Sequence, residues 1–490
     1  MSMRITGMAS GLDIDSLVKE MMKARKASSD KLFQKRTTLE WQQETYREVS
    51  TKIVDFRNNK LSSYSLSNQI NAKKAEISGN QNALTVNSVS STAAGSLNVQ
   101  VTKVATAATS VFTYDPDNNP ATTNSTDGMT LSSLGFTSGT LTVNGKAVTY
   151  AGTDTLQNLA DKINADKDTK ATALYDKVRG QFSITNTETG GGTASITGFP
   201  ESTTTFVRAN SGGDNATAVI NGITYTQSSN KFSVNGIDFT VKQESGAAGA
   251  TTLTTVTDTD KILSTIKSFV SDYNSLIDKV NGELNEERFR SFTPLTDVQK
   301  EEMSDKQVEL WEEKARSGLL RNDSILSKFA SDMRIASTAD FAANVNIATI
   351  GITTGTWQDR GKLVIDEEKL RKAITDNPQL VADIFTKAGD ASQPGNANVG
   401  IFNKMTKIAM DTLTQLSERA GTSAVSADPK GKFLESSLSS GQIREYKTKE
   451  SDMLAKLTEM ENRYYKQFAA MEAAINKFNS QASSLSSFMS

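Results

Sequence analysis

The sequence contains no histidine and no cysteine, which removes most of the chemistry that a chain of 490 residues could carry. Without imidazole or thiolate there is no Ser-His-Asp or Cys-His nucleophile, no HExxH zinc site, no structural zinc and no haem held by His or Cys. Chemistry by carboxylates or by a Ser-Lys pair remains. Asp366, Glu367 and Glu368 have the composition of a glycosidase pair, but at adjacent positions before Lys369 they read as the charged first turn of a helix. Asp115, Asp117 and Asn119 alternate like the first ligands of a Ca²⁺ loop, yet the glycine and distal glutamate that such a loop needs are missing, so a plain loop is expected. Gly190-Gly191-Gly192 lies between strand-like runs and reads as a turn, not a phosphate cradle. The expectation is a protein that is not an enzyme, with no catalytic residue, no cofactor and no metal.

The elements that carry these residues follow from composition. Lys+Arg 54 against Asp+Glu 56 leaves a formal net charge of -2, so no basic field attracts nucleic acid or an anionic membrane. Gly7, Gly11, Asp13 and Asp15 stand where the apolar stretch of a cleaved leader would lie, so Sec export is not expected. No run of ~18 apolar residues predicts a membrane span. A chain this long divides into several domains. Its character changes from helix-like to strand-like near residue 70 and back near residue 260.

At the front, Asp13 reads as an N-cap with Asp15 in the first turn and Leu12 and Leu17 as a hydrophobic staple. A seven-residue spacing then runs through Val18, Leu32, Leu39, Tyr46 and Ile53, with a second row at Ile14, Met21, Val49 and Phe56. The far end answers it with Met453, Leu457, Met460, Tyr464, Phe468, Met471, Ile475 and Phe478 in alternating three- and four-residue steps. Such narrow stripes bury little area alone and need a partner, so these two rows are the expected assembly seam. The uncharged tail 478–490 points the same way.

Between the ends, runs such as Leu97-Asn98-Val99-Gln100-Val101 and Leu141-Thr142-Val143 predict strands. Asn144-Gly145, Asn221-Gly222 and Asn235-Gly236 predict primed hairpin turns, and Leu156, Leu159, Ala160 and Ile163 predict one helix. After residue 260 a helical face returns in Ile262, Ile266, Phe269, Val270, Tyr273, Leu276, Ile277 and Val280. The charged stretch 283–314 reads as a solvated helix or a disordered loop.

Taken together, several segments resemble the bacterial flagellar filament capping family, the flagellar hook-associated protein 2 family. They are Ile5-Thr6-Gly7-Met8-Ala9-Ser10-Gly11-Leu12-Asp13-Ile14-Asp15, the pair Leu141–Gly145 and Thr155–Asn164, then Phe269–Leu276, Gly318–Asp323, Gly361–Asp366, and finally Arg463-Tyr464-Tyr465 with Phe468–Glu472. The resemblance implies a multidomain α+β fold, with long terminal α-helices pairing as a coiled-coil leg, a helical leg domain, and two β-rich antiparallel head domains inserted between them. The expected partition is 1–45 as an N-terminal leg helix pairing with the C-terminal leg helix 433–490; 46–69 with 260–432 as the helical leg domain; 70–109 with 216–259 as an inner head; and 110–215 as an outer head. The resemblance further implies a cap at the distal end of the filament, secreted through the flagellar export channel. Its expected partners are copies of itself in a pentamer, flagellin, hook-filament junction proteins and an export chaperone. Alternatives are a surface adhesin binding host glycans or mucin through the heads, a flagellin or hook-junction structural protein, and a carboxylate-dependent surface hydrolase.

Overall fold

A computed structural model describes residues 13–119, 122–137, 139–201, 205–389 and 398–488. The segment Ile5–Leu12, which opens the resemblance, lies outside them, as does Leu12 of the expected staple. The chain divides into two compact units, residues 1–70 with 260–490 and residues 71–259.

The first unit begins with α1 (Ile14–Asp55), capped by Asp13, whose carboxylate accepts the Ser16 amide at 3.0 Å. Without a break α1 passes into a π-helical turn, Phe56–Leu61, and then into two single turns, α2 (Ser62–Tyr64) and α3 (Ser67–Ile70). π-turns are rare and redirect side chains. Here Arg57 and Asn58 are sent outward, where they donate to the carbonyls of Ala424 (3.0 Å) and Val425 (3.1 Å).

The second unit is antiparallel sheet around two cores. Its strands are β1 (Lys73–Gly79), β2 (Leu84–Val89), β3 (Ser96–Lys103), β4 (Thr109–Tyr114), β5 (Thr140–Val143) and β6 (Lys146–Thr149). After α4 (Leu156–Ala165) come β7 (Ala171–Asp176), β8 (Gln181–Asn186), β9 (Ile196–Thr197), β10 (Phe206–Ser211), β11 (Ala216–Ile220), β12 (Ile223–Gln227), β13 (Lys231–Val234), β14 (Ile237–Val241) and β15 (Thr251–Thr257). One core joins the sheet β1-β15-β3-β11-β12 to β13-β14-β2 through alternate residues such as Val99, Ile220, Phe239 and Leu253. The other joins β10-β4-β8-β7, β6-β5-β9 and α4 around Phe112, Phe182, Phe199 and Phe206, with Phe112 and Phe199 stacked at 3.9 Å. Thr155 and Asn158 close a capping box on α4, so its buried face, Leu156, Leu159, Ala160 and Ile163, is fixed by local sequence. Asn144-Gly145, Asn221-Gly222 and Asn235-Gly236 are hairpin turns, with each asparagine at positive φ.

The chain returns to the first unit through α5 (Thr259–Asn285), whose eight expected apolar residues are all buried. The charged stretch then forms neither one helix nor a loop. It folds as α6 (Asp297–Glu301) and α7 (Asp305–Arg316) around a satellite cluster in which Phe292 and Trp311 lie 4.6 Å apart with Lys314 over the Phe292 ring. α8 (Ser324–Thr338), the hairpin β16 (Ile352–Thr354) and β17 (Leu363–Ile365), α9 (Glu367–Asp376), α10 (Pro378–Thr386) and α11 (Ile401–Ala420) complete the core. Phe269, Phe385 and Phe402 meet there at centroid separations of 4.9 to 5.8 Å. Each such buried ring contributes about 2–3 kcal/mol of burial before its entropy cost. Asp366 caps α9 by accepting the Lys369 amide, with Glu367 and Glu368 in the first turn, as the spacing predicts. An irregular strap, residues 421–437, leads to α12 (Leu438–Phe488), a single helix of 51 residues.

Candidate assembly surface

α1 and α12 run antiparallel, and their side chains show it at every level. Gln43 donates to the Ser440 hydroxyl at 3.0 Å, Lys447 pairs with Glu40 at 3.3 Å, Arg36 with Glu450 at 2.8 Å, and the Tyr465 hydroxyl donates to Asp15 at 2.8 Å. Partial burial disfavours the Arg36 charge, but the Glu450 and Glu40 carboxylates outweigh it and hold the guanidinium above its ordinary pKa. The start of α1 is also anchored: the Ser16 hydroxyl and amide hold Asp13 below the usual carboxylate range.

Between these polar ties the pair buries Ile14, Val18, Met22 and Leu457, with Met453, Met460, Tyr464, Tyr465 and Phe468 partly buried against them. Leu32 and Leu39 are half-buried further up, and Met471 and Ile475 further out along α12. Met21 is a correction to the expected row. It is 43% exposed, and Met22 takes the inward place. The reason is geometric: the covered face is centred on Val18, and on a helix of 3.6 residues per turn the four-residue steps from Val18 to Ile14 and Met22 return closer to that face than the three-residue step to Met21. Phe478 is 69% exposed within the chain.

The upper half of α1 requires a larger correction. Tyr46, Val49, Ile53 and Phe56 were expected on the assembly seam, but all four are buried in this chain's own core, where α1 packs on α11. They have no surface left to offer a neighbour. Tyr46 donates to Asp323 Oδ2 at 2.6 Å, while Asp323 Oδ1 accepts the amides of Ile325 and Leu326 at the start of α8. Burial first, then the Asp323 carboxylate, pushes the Tyr46 hydroxyl well above its ordinary pKa.

Sequence reasoning missed the strap. Gly421 opens it at φ 76°, where a Cβ would meet Leu434 backbone at 2.8 Å, so only glycine fits the close approach. Arg47 stacks on Phe433 at 4.5 Å and donates to the Gly431 carbonyl at 3.2 Å, and Gln43 donates to the Ala420 carbonyl at 2.8 Å. Nothing in a Gly, Ser and Lys run announces such ties, because α1 supplies the donors and the strap supplies carbonyls and the single ring of Phe433.

The open grooves of the first unit are polar and internally paired. One of about 670 Å³ is lined by Lys60, Lys267 and Arg371, which pair with Asp272, Glu367 and Asp260. Among the described residues no three His, Cys, Asp or Glu side chains gather as a metal site, and no helix is long and apolar enough to cross a membrane.

A family profile described as the flagellar hook-associated protein 2 C-terminus matches residues 213–480, and one for the N-terminus of the same protein matches 10–108. The chain belongs to the flagellar hook-associated protein 2 family. It is 27% identical over 542 residues to flagellar hook-associated protein 2 of Halalkalibacterium halodurans, covering 99% of each chain. Flagellar hook-associated protein 2 of Thermotoga maritima is 27% identical over 376 residues, covering 73% of this chain and 56% of that one. Among solved structures, the D1-D2-D3 domains of the flagellar cap protein FliD from Escherichia coli share the fold, with a TM-score of 0.51, 18% identity, and coverage of 82% of this chain and 99% of that one. The multidomain α+β architecture, with long terminal helices and inserted antiparallel sheets, is therefore that of the family.

Proposed function

We propose that this member of the hook-associated protein 2 family caps the distal end of the flagellar filament as a non-catalytic homo-oligomer. In this role it retains exported flagellin and promotes its insertion into the filament. The observation that carries the reading is the antiparallel α1–α12 pair. Below Leu39 it buries only a thin seam of its own, and along α12 its apolar stripe runs on through Met471, Ile475 and Phe478 past the start of the described α1. That stripe finds its full burial against other subunits or filament, with Val18, Leu32, Leu39, Met453, Leu457, Met460, Tyr464 and Phe468 forming the seam that keeps each leg intact. A subunit number of five, contacts with hook-filament junction proteins, and a chaperone that guards the C-terminal helix during export belong to the same proposal. Family membership supports the cap over a glycan-binding adhesin or a hydrolase.

The test is a deletion strain. It is expected to secrete unpolymerised flagellin and to regain filaments with the wild-type gene but not with a chain ending at residue 468. Normal filaments on the deletion strain would end the cap reading.

A further inference from the structure

Three hairpins of the β unit close on Asn-Gly, which gives one turn geometry under three different restraints. Asn144, Asn221 and Asn235 have φ of 46°, 47° and 50°, and Gly145, Gly222 and Gly236 follow at 84°, 85° and 77°. In each case the ladder closes on the flanking residues, Val143 with Lys146, Ile220 with Ile223 and Val234 with Ile237, so the glycine nitrogen lies outside it. That nitrogen is one five-membered ring away from the Asn side-chain carbon Cγ, and glycine has no Cβ to shield it. When the peptide nitrogen, having lost its proton to water, attacks Cγ, the bond from Cγ to Nδ2 breaks and ammonia leaves with a proton from solvent. Water then opens the succinimide at either carbonyl, giving aspartate or isoaspartate. No other reactant is needed.

What differs is how firmly the amide is held away from that path. The Asn144 Nδ2 donates to the Thr169 carbonyl at 3.1 Å and to Asn186 Oδ1 at 2.8 Å, while its Oδ1 accepts the Ser195 amide at 3.1 Å. The Asn221 Oδ1 accepts the Asn98 amide at 2.8 Å, and its Nδ2 donates to the Ser96 carbonyl at 3.3 Å. Asn235, which is exposed, is tied by its Nδ2 to the Ala94 carbonyl at 2.9 Å, and among the described residues its Oδ1 has no further tie.

We propose that Asn235 is a site of spontaneous succinimide formation in the folded protein, with Asn221 slower and Asn144 protected by its three side-chain hydrogen bonds. A hydrogen bond of ordinary net strength holds back such a step roughly two- to tenfold, so Asn235 converts on the order of tenfold or more faster than Asn144. The isoaspartate product does not fit its turn. The Gly236 carbonyl accepts the Ser90 amide at 2.7 Å, and its Cα side lies against Ser90 and Ala93, so an added backbone methylene displaces the loop after β2.

The experiment is to age the full-length protein in mildly alkaline buffer and map aspartate and isoaspartate by peptide mass spectrometry, with a parallel sample in denaturant. The expected native order is Asn235, then Asn221, then Asn144, with the three rates converging in denaturant. Equal native rates, or Asn144 first, would overturn the assignment. So would the same unequal order in denaturant, because the sequence neighbours and not the side-chain ties would then set the rates.

Discussion

The two halves of α1 are one continuous helix with opposite roles. From Trp41 through the π-turn to Leu61 the chain presents Trp41, Tyr46, Val49, Ile53, Val54, Phe56 and Leu61 to the first unit's core, all of them buried. Below Leu39 only Ile14, Val18, Met22 and Ser29 are buried, and among the described residues the three apolar ones are covered by α12. The upper half is held by what the chain already contains, whereas the lower half is a two-helix strip whose stability is small by itself. A single helix can thus be a core element at one end and an interface at the other, and burial, not periodicity, marks the change.

The largest expected effect tests that division. Ile53→Asp places a carboxylate at a fully buried position and should cost ~4–5 kcal/mol or more, abolishing cooperative unfolding of the first unit by circular dichroism. Val18→Asp should leave that transition in place and remove only hydrogen-exchange protection in the paired ends of α1 and α12. Equal loss of the main transition in both variants would erase the contrast.

Alkaline titration comes next. Burial raises Tyr46, Tyr64 and, to about 12, Tyr273 in the folded first unit, and the carboxylates of Asp323 and Asp272 add to it at Tyr46 and Tyr64. A tyrosine raised above its unfolded value of 10.0 keeps its proton longer when folded. Its stabilisation is complete below pH 10 and disappears as pH climbs through the folded values, so the first unit should lose on the order of a few kcal/mol above that window. Fluorescence-monitored denaturant melts at stepped pH would show it. Unchanged midpoints up to pH 12 would remove tyrosine burial from the account.

A smaller effect is expected at the joint between α1 and α8. Tyr46→Phe removes the hydrogen bond to Asp323 and should cost about 1–2 kcal/mol, measured as a shift in the denaturant midpoint without a change in slope. The smallest belongs to the strip. Arg36→Met, which breaks the tie to Glu450, should cost under about 1 kcal/mol, less still at high salt, and be seen only as faster exchange in α12.

Local features were legible in the sequence and composite ones were not. The α4 face, the Asn144, Asn221 and Asn235 hairpins, the α5 stripe, the Asp13 cap and the charged first turn at Glu367 and Glu368 depend on neighbours within a few residues, and all are present in the structure. The stripe through Tyr46 and Ile53 was equally visible, but periodicity reports that a face is apolar and says nothing of which partner covers it. Met21 stands in a strict heptad counted from Ile14, whereas the covered face is centred on Val18, four residues before Met22. The satellite cluster of Phe292 and Trp311 and the π-helical turn at Phe56–Leu61 had no recognisable pattern, since each depends on residues distant in sequence.

α12 has one further consequence, which is mechanical. At ~1.5 Å per residue its 51 residues span roughly 75 Å, and α12 is tied side by side to α1 through Lys447–Glu40, Arg36–Glu450 and Tyr465–Asp15, so the pair is one lever rooted where α1 enters the first unit's core. A tilt of about five degrees at that root moves the far tip by roughly 6 Å, about the width of one side-chain row on a neighbouring helix. The distant end can therefore shift by a whole register of contacts while the fulcrum barely changes its own.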